Sequence, residues 1–90
     1  MELSIKKVNE ILERLLKSDI SRDDASVWAF NLMQAADNGR LVYYPPEKEA
    51  ILWEAIIFIE GLDLREEPDI YLHNEMDIRE FLQHVLNETK

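Results

Sequence analysis

Two histidines and the acids near them are the residues of this chain best suited to metal or proton chemistry. Asp77, Glu80 and His84 stand at spacings of three, four and seven, which places all three on one face of a helix. Such a row could in principle ligate a divalent cation. With no cysteine in the chain, a zinc site would have to combine His73 and His84 with carboxylates. The spacing is not the Glu-x-x-His of di-iron bundles, and the same row is the polar face that any amphipathic helix presents. His73 reads as a residue leading into that helix rather than as a general base. Gly39 and Gly61 are the only glycines, and neither lies in a phosphate-binding pattern. No catalytic residue, metal ligand or cofactor is therefore expected, and the chain is not expected to be an enzyme.

The acids and tyrosines carry a different chemistry, that of a binding surface. Nineteen acidic against ten basic residues give a formal net charge of −9. Residues 1–45 hold seven acids and six bases, and residues 46–90 hold twelve acids and four bases, so the second half carries −8. Direct nucleic-acid binding needs clustered Lys and Arg and is not expected. The excess suits a basic protein partner, or solubility alone. Its densest stretch is the connector holding Glu60, Asp63, Glu66, Glu67 and Asp69, opposed only by Arg65 and followed by Tyr71. A negative rim there would speed the approach of a basic partner. Tyr43 and Tyr44 sit side by side in another connection, where rigid aromatic rings are good binding anchors. Packing beneath the loop is the other reading for that pair. Glu54 is the one polar residue between Ala50 and Ile59. With Ile51 and Phe58 it forms either a buried face covered by a neighbouring helix or an open apolar patch through which a second copy could bind.

Four helices must position these residues. The first, from about Ser4 to Ser18, carries the stripe Ile5, Val8, Ile11, Leu12, Leu15 and Leu16, with Glu10–Arg14 and Glu13–Lys17 as surface pairs. Ser21 opens the second as an N-cap, with Asp24 in position to reach back, and Gly39 closes it by tolerating positive φ. Its buried face is expected to be Ala25, Trp28, Ala29, Leu32 and Ala36, with Val27 and Phe30 as a shoulder against another neighbour. Pro46 suits the start of the third helix, which runs to Glu60 with Gly61 as its stop. A buried strand over residues 51–59 is the competing assignment, which length and the flanking residues disfavour. Pro68 interrupts the chain, and residues 70–72 read as an extended segment packed on the body. Asn74 then caps the fourth helix, whose stripe is Ile78, Phe81, Leu82, Val85 and Leu86.

The expected architecture is an all-α, compact antiparallel four-helix bundle with a short extended segment before the last helix, one domain over residues 1–90. The third helix, apolar on nearly every side, belongs to the inner pair with the second, Trp28 and Trp53 being buried between them and the outer helices. The start MELSIKKVNE lacks the features of a signal peptide, and the longest apolar run, residues 55–59, is too short for a bilayer. Without cysteine, a reducing compartment fits, so a cytoplasmic location with no membrane contact is expected.

The segment Leu41-Val42-Tyr43-Tyr44-Pro45 resembles the Tyr-Tyr-Pro motif of the colicin nuclease immunity proteins, and departs from their pattern at Arg40, where those proteins carry an acid. They are acidic four-helix proteins of similar size. The resemblance implies that Tyr43 and Tyr44 contact a toxin. A broader pattern is Ser21-Arg22-x-x-Ala25-x-x-Trp28-Ala29, then Trp53 with Gly61-Leu62-Asp63-Leu64, then Tyr71-Leu72-His73 with Asp77-Ile78. It is similar to a group of small bacterial proteins of which some are thought to act in immunity. The expectation is thus an immunity-type protein that binds and blocks a basic bacterial toxin domain, a nuclease by the first resemblance. The partner surface would comprise Tyr43, Tyr44, Glu60, Asp63, Glu66, Glu67, Asp69 and Tyr71. The alternative is a homo-oligomeric adaptor or regulatory module using Ile51, Glu54 and Phe58.

Overall fold

The apolar stripes read from the sequence fold into helices whose ends are set by local hydrogen bonds. A computed structural model describes residues 1–68 and 70–89, with Glu66 described by its backbone alone. Among the described residues there are four α-helices: α1 (Ile5–Leu16), α2 (Arg22–Asp37), α3 (Glu49–Glu60) and α4 (Glu75–Glu88). Side-chain oxygens cap three of them. Ser4 accepts from the Lys7 N–H, Ser21 from the Asp24 N–H, and Asn74 from the Asp77 N–H, each at 2.9–3.0 Å. Asp77 returns the bond by accepting from the Asn74 N–H, which completes a capping box at the expected Asn74 cap; at Ser21, where a box with Asp24 was expected, only the serine's half is formed among the described residues.

The exits of α1 and α2 share one geometry. The Asp19 N–H donates to the Arg14 carbonyl and the Arg40 N–H to the Ala35 carbonyl, the six-to-one bond of a Schellman ending. That turn needs a left-handed residue, supplied by Gly39 at φ 69° and, unusually, by Ser18 at φ 60°. Gly61 does not act this way. Its φ is −82°: α3 does end at Glu60 with Gly61 as its C-cap, as expected, but in a right-handed conformation from which the chain continues as a 3₁₀ turn over Gly61–Asp63. Another 3₁₀ turn, Pro46–Lys48, precedes α3.

The chain is mostly helical, but the expectation of an all-α protein needs correction. Strand β1 (Glu2–Ser4) pairs in parallel with β2 (Val42–Tyr44), Leu3 opposite Tyr43. A parallel pair needs a long crossover, which α1 and α2 provide. The Val42 N–H donates to the Met1 carbonyl at 2.8 Å, extending the ladder by one bond. A second small sheet joins β3 (Arg65–Glu67) antiparallel to β4 (Ile70–Tyr71). The extended reading of residues 70–72 holds for the backbone of Ile70 and Tyr71, while Leu72 lies in a bend; the expected packing on the body holds for Tyr71 alone, Ile70 and Leu72 being exposed.

One apolar cluster joins all four helices and β1. Its fully buried members include Leu3, Val8, Leu12, Leu52, Ile56, Ile59, Leu62 and Val85. Truncating one of the larger of these to alanine should cost about 2–5 kcal/mol, because the cavity left behind adds to the lost transfer energy. Helix α2 packs chiefly on α3, and α1 chiefly on α4. Ser26 Oγ donates to the Glu60 carbonyl at 2.6 Å, tying the start of α2 to the end of α3. Lys48 Nζ donates to the Glu88 carbonyl at 2.7 Å, tying the start of α3 to the end of α4.

Several packing expectations are corrected. The inner face of α2 is Ala25, Ser26, Ala29, Leu32 and Ala35, rotated from the expected set, and Ala36 is only half-buried. Val27 and Phe30 form no shoulder, being 58 % and 48 % exposed. Trp28 and Trp53 pack against the core but stay half-exposed, since the small residues of α2 let α3 approach without an indole between them. Among the described residues, Glu10–Arg14 and Glu13–Lys17 do not close, and Lys7–Glu10 at 3.4 Å is the pair formed on that face.

Candidate functional site

The expected partner surface divides into two regions at opposite ends of α3. Tyr43 and Tyr44 lie on β2, just before α3 begins, whereas Glu60 and the connector follow its end. Twelve helical residues separate them by about 18 Å of rise. At the first end, strand alternation turns the two tyrosines apart. Tyr43 packs against the core, and its phenol is pushed above the ordinary tyrosine value by burial and then by the negative charge of Glu49. Tyr44 is 47 % exposed, beside the exposed Val42 and Met1. The peptide between Tyr44 and Pro45 is cis.

At the other end, Asp63 and Glu67 are exposed and Glu60 is half-buried. The Glu66 side chain and all of Asp69 lie outside the described residues. Among the described residues, Arg65 forms no ion pair with an acid of the connector; it donates to the Pro68 carbonyl at 3.1 Å and lies over the Tyr71 ring at 5.1 Å. Tyr71 is already occupied within the molecule. Arg22 stacks on the same ring at 4.2 Å while its guanidinium donates to the carbonyls of Leu62 and His73. Arg22 thereby holds the start of α2, the turn after α3 and the approach to α4 together. Its role was missed by the sequence reading, because an arginine in a first helical turn usually faces water and nothing local shows which carbonyls will come within reach.

A third region lies between α3 and α4. Of the face of Ile51, Glu54 and Phe58, the two apolar residues are covered within the molecule, in line with the reading that a neighbouring helix packs over them. Ile51 is 8 % exposed within the core, and Phe58 stacks on Phe81 of α4 with ring centres 4.2 Å apart and planes 7° from parallel. Glu54 stays exposed and meets His84 Nε2 at 3.3 Å. His73 lies 5.0 Å from the Phe58 ring and 3.6 Å from the Asp77 carboxylate, and His84 lies 5.7 Å from the Phe81 ring. The four rings form a row, His73–Phe58–Phe81–His84, in the floor of an open hollow of about 310 Å³ whose lining also includes Asp77 and Glu80. The sequence reading placed Asp77, Glu80 and His84 on one face and Glu54 with Phe58 on another. It expected the fourth helix or the 70–72 segment to cover the Glu54 face, without identifying the row of Asp77, Glu80 and His84 as what would meet it. Among the described residues, no group of three histidines or carboxylates is arranged to hold a metal ion.

With this geometry in view, comparison with known proteins adds little. The chain is similar to a protein of Bacillus subtilis strain 168 named uncharacterized protein YxzC, with 25 % identity over 79 residues. The matched region covers 88 % of this chain and 58 % of that protein, so the chain spans little more than half of its relative's length. No protein-family model matches the chain, and no solved structure matches it. No helix among the described residues is long and apolar enough to cross a membrane.

Proposed function

We propose that this chain is an acidic interaction protein of immunity type, which binds a basic bacterial toxin domain, a nuclease in the first instance, and blocks it by covering its working surface. The observation that carries the reading is the connector after α3. Its described acids Asp63 and Glu67 are exposed and, among the described residues, form no ion pair, while Arg65 is engaged by Tyr71 and the Pro68 carbonyl. Uncompensated surface charge of one sign is what steers a partner of the other sign. Tyr44, exposed at the far end of α3, is the tyrosine free to serve as an anchor. The cytoplasm and an antiparallel arrangement of all four helices belong to the same reading.

Stopped-flow association with a basic toxin domain from the neighbouring reading frame tests it. The association rate should fall at least about tenfold as salt rises through the range over which exposed charges become screened. Asp63→Asn with Glu67→Gln should slow association and flatten the salt dependence, with little effect on dissociation. Cells carrying the toxin should grow with the native chain and grow poorly with Tyr44→Ala. An association rate indifferent to salt overturns the proposal.

A further inference from the structure

Helix α2 turns alanines and a serine toward the core and its larger apolar residues Val27 and Phe30 toward solvent. From that reversal we infer that the outer face shared by α2 and α3 docks an amphipathic helix of a partner protein, apolar along its middle and basic at both ends. Val27, Phe30 and, on α3, Ile57 are 58 %, 48 % and 46 % exposed. One hydrogen bond sets them together. Ser26 Oγ meets the Glu60 carbonyl and α2 packs chiefly on α3, so about one turn along each helix from that bond brings Phe30 alongside Ile57. Val27 precedes Phe30 by three residues on the same face. A further turn brings Met33 alongside Trp53, both half-buried against the core. Among the described residues, neither Phe30 nor Trp53 is stacked on another ring or covered by an arginine. Apolar residues gathered in this way, with a polar rim, mark a surface for another protein.

The charges choose the occupant. Past Arg22, which is bound to the carbonyls of Leu62 and His73, neither α2 nor α3 carries a lysine or arginine. One end of the face has Asp23, a turn before Val27, and Glu60 itself. The other has Asp37, a turn past Met33, and Glu49, a turn before Trp53. Asp23, Asp37 and Glu49 are exposed and, among the described residues, form no ion pair. The connection between the helices adds Arg40 and Lys48, but Lys48 is drawn to the Glu88 carbonyl, so acids still outnumber bases at that end. A second copy is the wrong occupant, because a self-complementary pairing would lay acidic ends on acidic ends between chains of net charge −9. An anionic bilayer surface is repelled for the same reason. A helix whose basic residues bracket an apolar ridge satisfies both the face and its ends, the ridge filling the seam and the charges setting its register. Asp23 and Asp37 are separated by about 21 Å of helical rise, so the docked helix needs about four turns.

The test uses the full chain and two capped helical peptides of about five turns, followed by NMR. Both carry leucines at helical spacing along one face; one has arginine and lysine in its first and last turns, the other glutamate. The basic-ended peptide should move the Phe30 and Ile57 side-chain signals and the Trp53 indole N–H saturably, leaving the Trp28 indole N–H in place. The glutamate-ended peptide should bind at least tenfold more weakly. Val27→Ser with Phe30→Gln should weaken binding at least tenfold while the thermal midpoint of the free chain stays level or rises. Asp23→Asn with Asp37→Asn should weaken binding severalfold and flatten its salt dependence. Absence of saturable movement, equal binding of the two peptides, equal movement at Trp28, or an unaffected variant of either pair overturns the inference. Movement of the Phe30 and Ile57 signals with protein concentration alone also overturns it and gives the face to a second copy. None of this depends on the connector or on a toxin, so the salt test at Asp63 and Glu67 judges that reading separately.

Discussion

Arg22 shows how much one side chain can hold when its partners are distant in sequence. It bonds two carbonyls that belong to the turn after α3 and to the segment before α4, and it stacks on Tyr71 between them. A charged hydrogen bond contributes about 1.5–3 kcal/mol, and leaving two half-buried carbonyls unpaired adds to the loss. Arg22→Ala should therefore lower stability by on the order of 2–4 kcal/mol in denaturant titrations. Arg22→Lys should recover less than half, because an ammonium cannot span both carbonyls and stack on the ring. A lysine variant as stable as the native chain would contradict the bridging role. Tyr43 makes a second residue-scale prediction. Its phenol is held above the usual value of 10.0 by burial first and Glu49 second, so the neutral form is favoured in the folded state. The stability this represents is fully present below about pH 10 and is lost as the pH rises through the raised value. Tyr43→Phe should flatten the alkaline side of the stability profile, measured as midpoint against pH.

Among the elements, the helices were legible because their signals repeat. Each stripe samples its face several times, and Ser21 and Asn74 announce their caps by type and offset. The strands were not legible: three residues cannot establish a period of two, and pairing Glu2–Ser4 with Val42–Tyr44 is decided by tertiary approach across forty positions. The face of α2 was misread because alanines and a serine cover the inner side while Val27 and Phe30 lie outside, the reverse of what hydropathy alone suggests. Residue type marked both helix ends at the glycines but not their conformation. Both stand after a helix, but Gly39 adopts the left-handed conformation and Gly61 does not. Gly39→Ala should cost about 1 kcal/mol, because alanine enters that region at a penalty. At Gly61 an added Cβ meets Leu64 Cδ1 at 3.7 Å, an ordinary contact. Gly61→Ala should be neutral or stabilising by up to about 1 kcal/mol, through reduced freedom of the unfolded chain. Equal losses at both positions would refute this assignment of the two helix ends. The ring-lined hollow was legible only by halves, since each helix declared its own face but not which faces would meet.

At the scale of the whole molecule, charge sets a tension between stability and binding. A net charge of −9 on ninety residues, with −8 on residues 46–90, makes the acidic half repel itself when folded. Among the described residues, no packing contact requires the exposed acids Asp63 and Glu67, because β3 and β4 are joined by backbone bonds and by Arg65 over Tyr71. If those acids serve a partner, they should weaken the free protein while speeding its encounters, the trade expected where function and stability draw on the same residues. Asp63→Asn with Glu67→Gln should then raise the free protein's thermal midpoint at low salt, by an amount that shrinks as salt screens the repulsion. The same variant should associate more slowly with a basic toxin domain. Two opposite shifts from one pair of substitutions separate a binding rim from a loop whose charge only keeps the chain dissolved. A purely solubilising loop would show the stability gain without the kinetic loss.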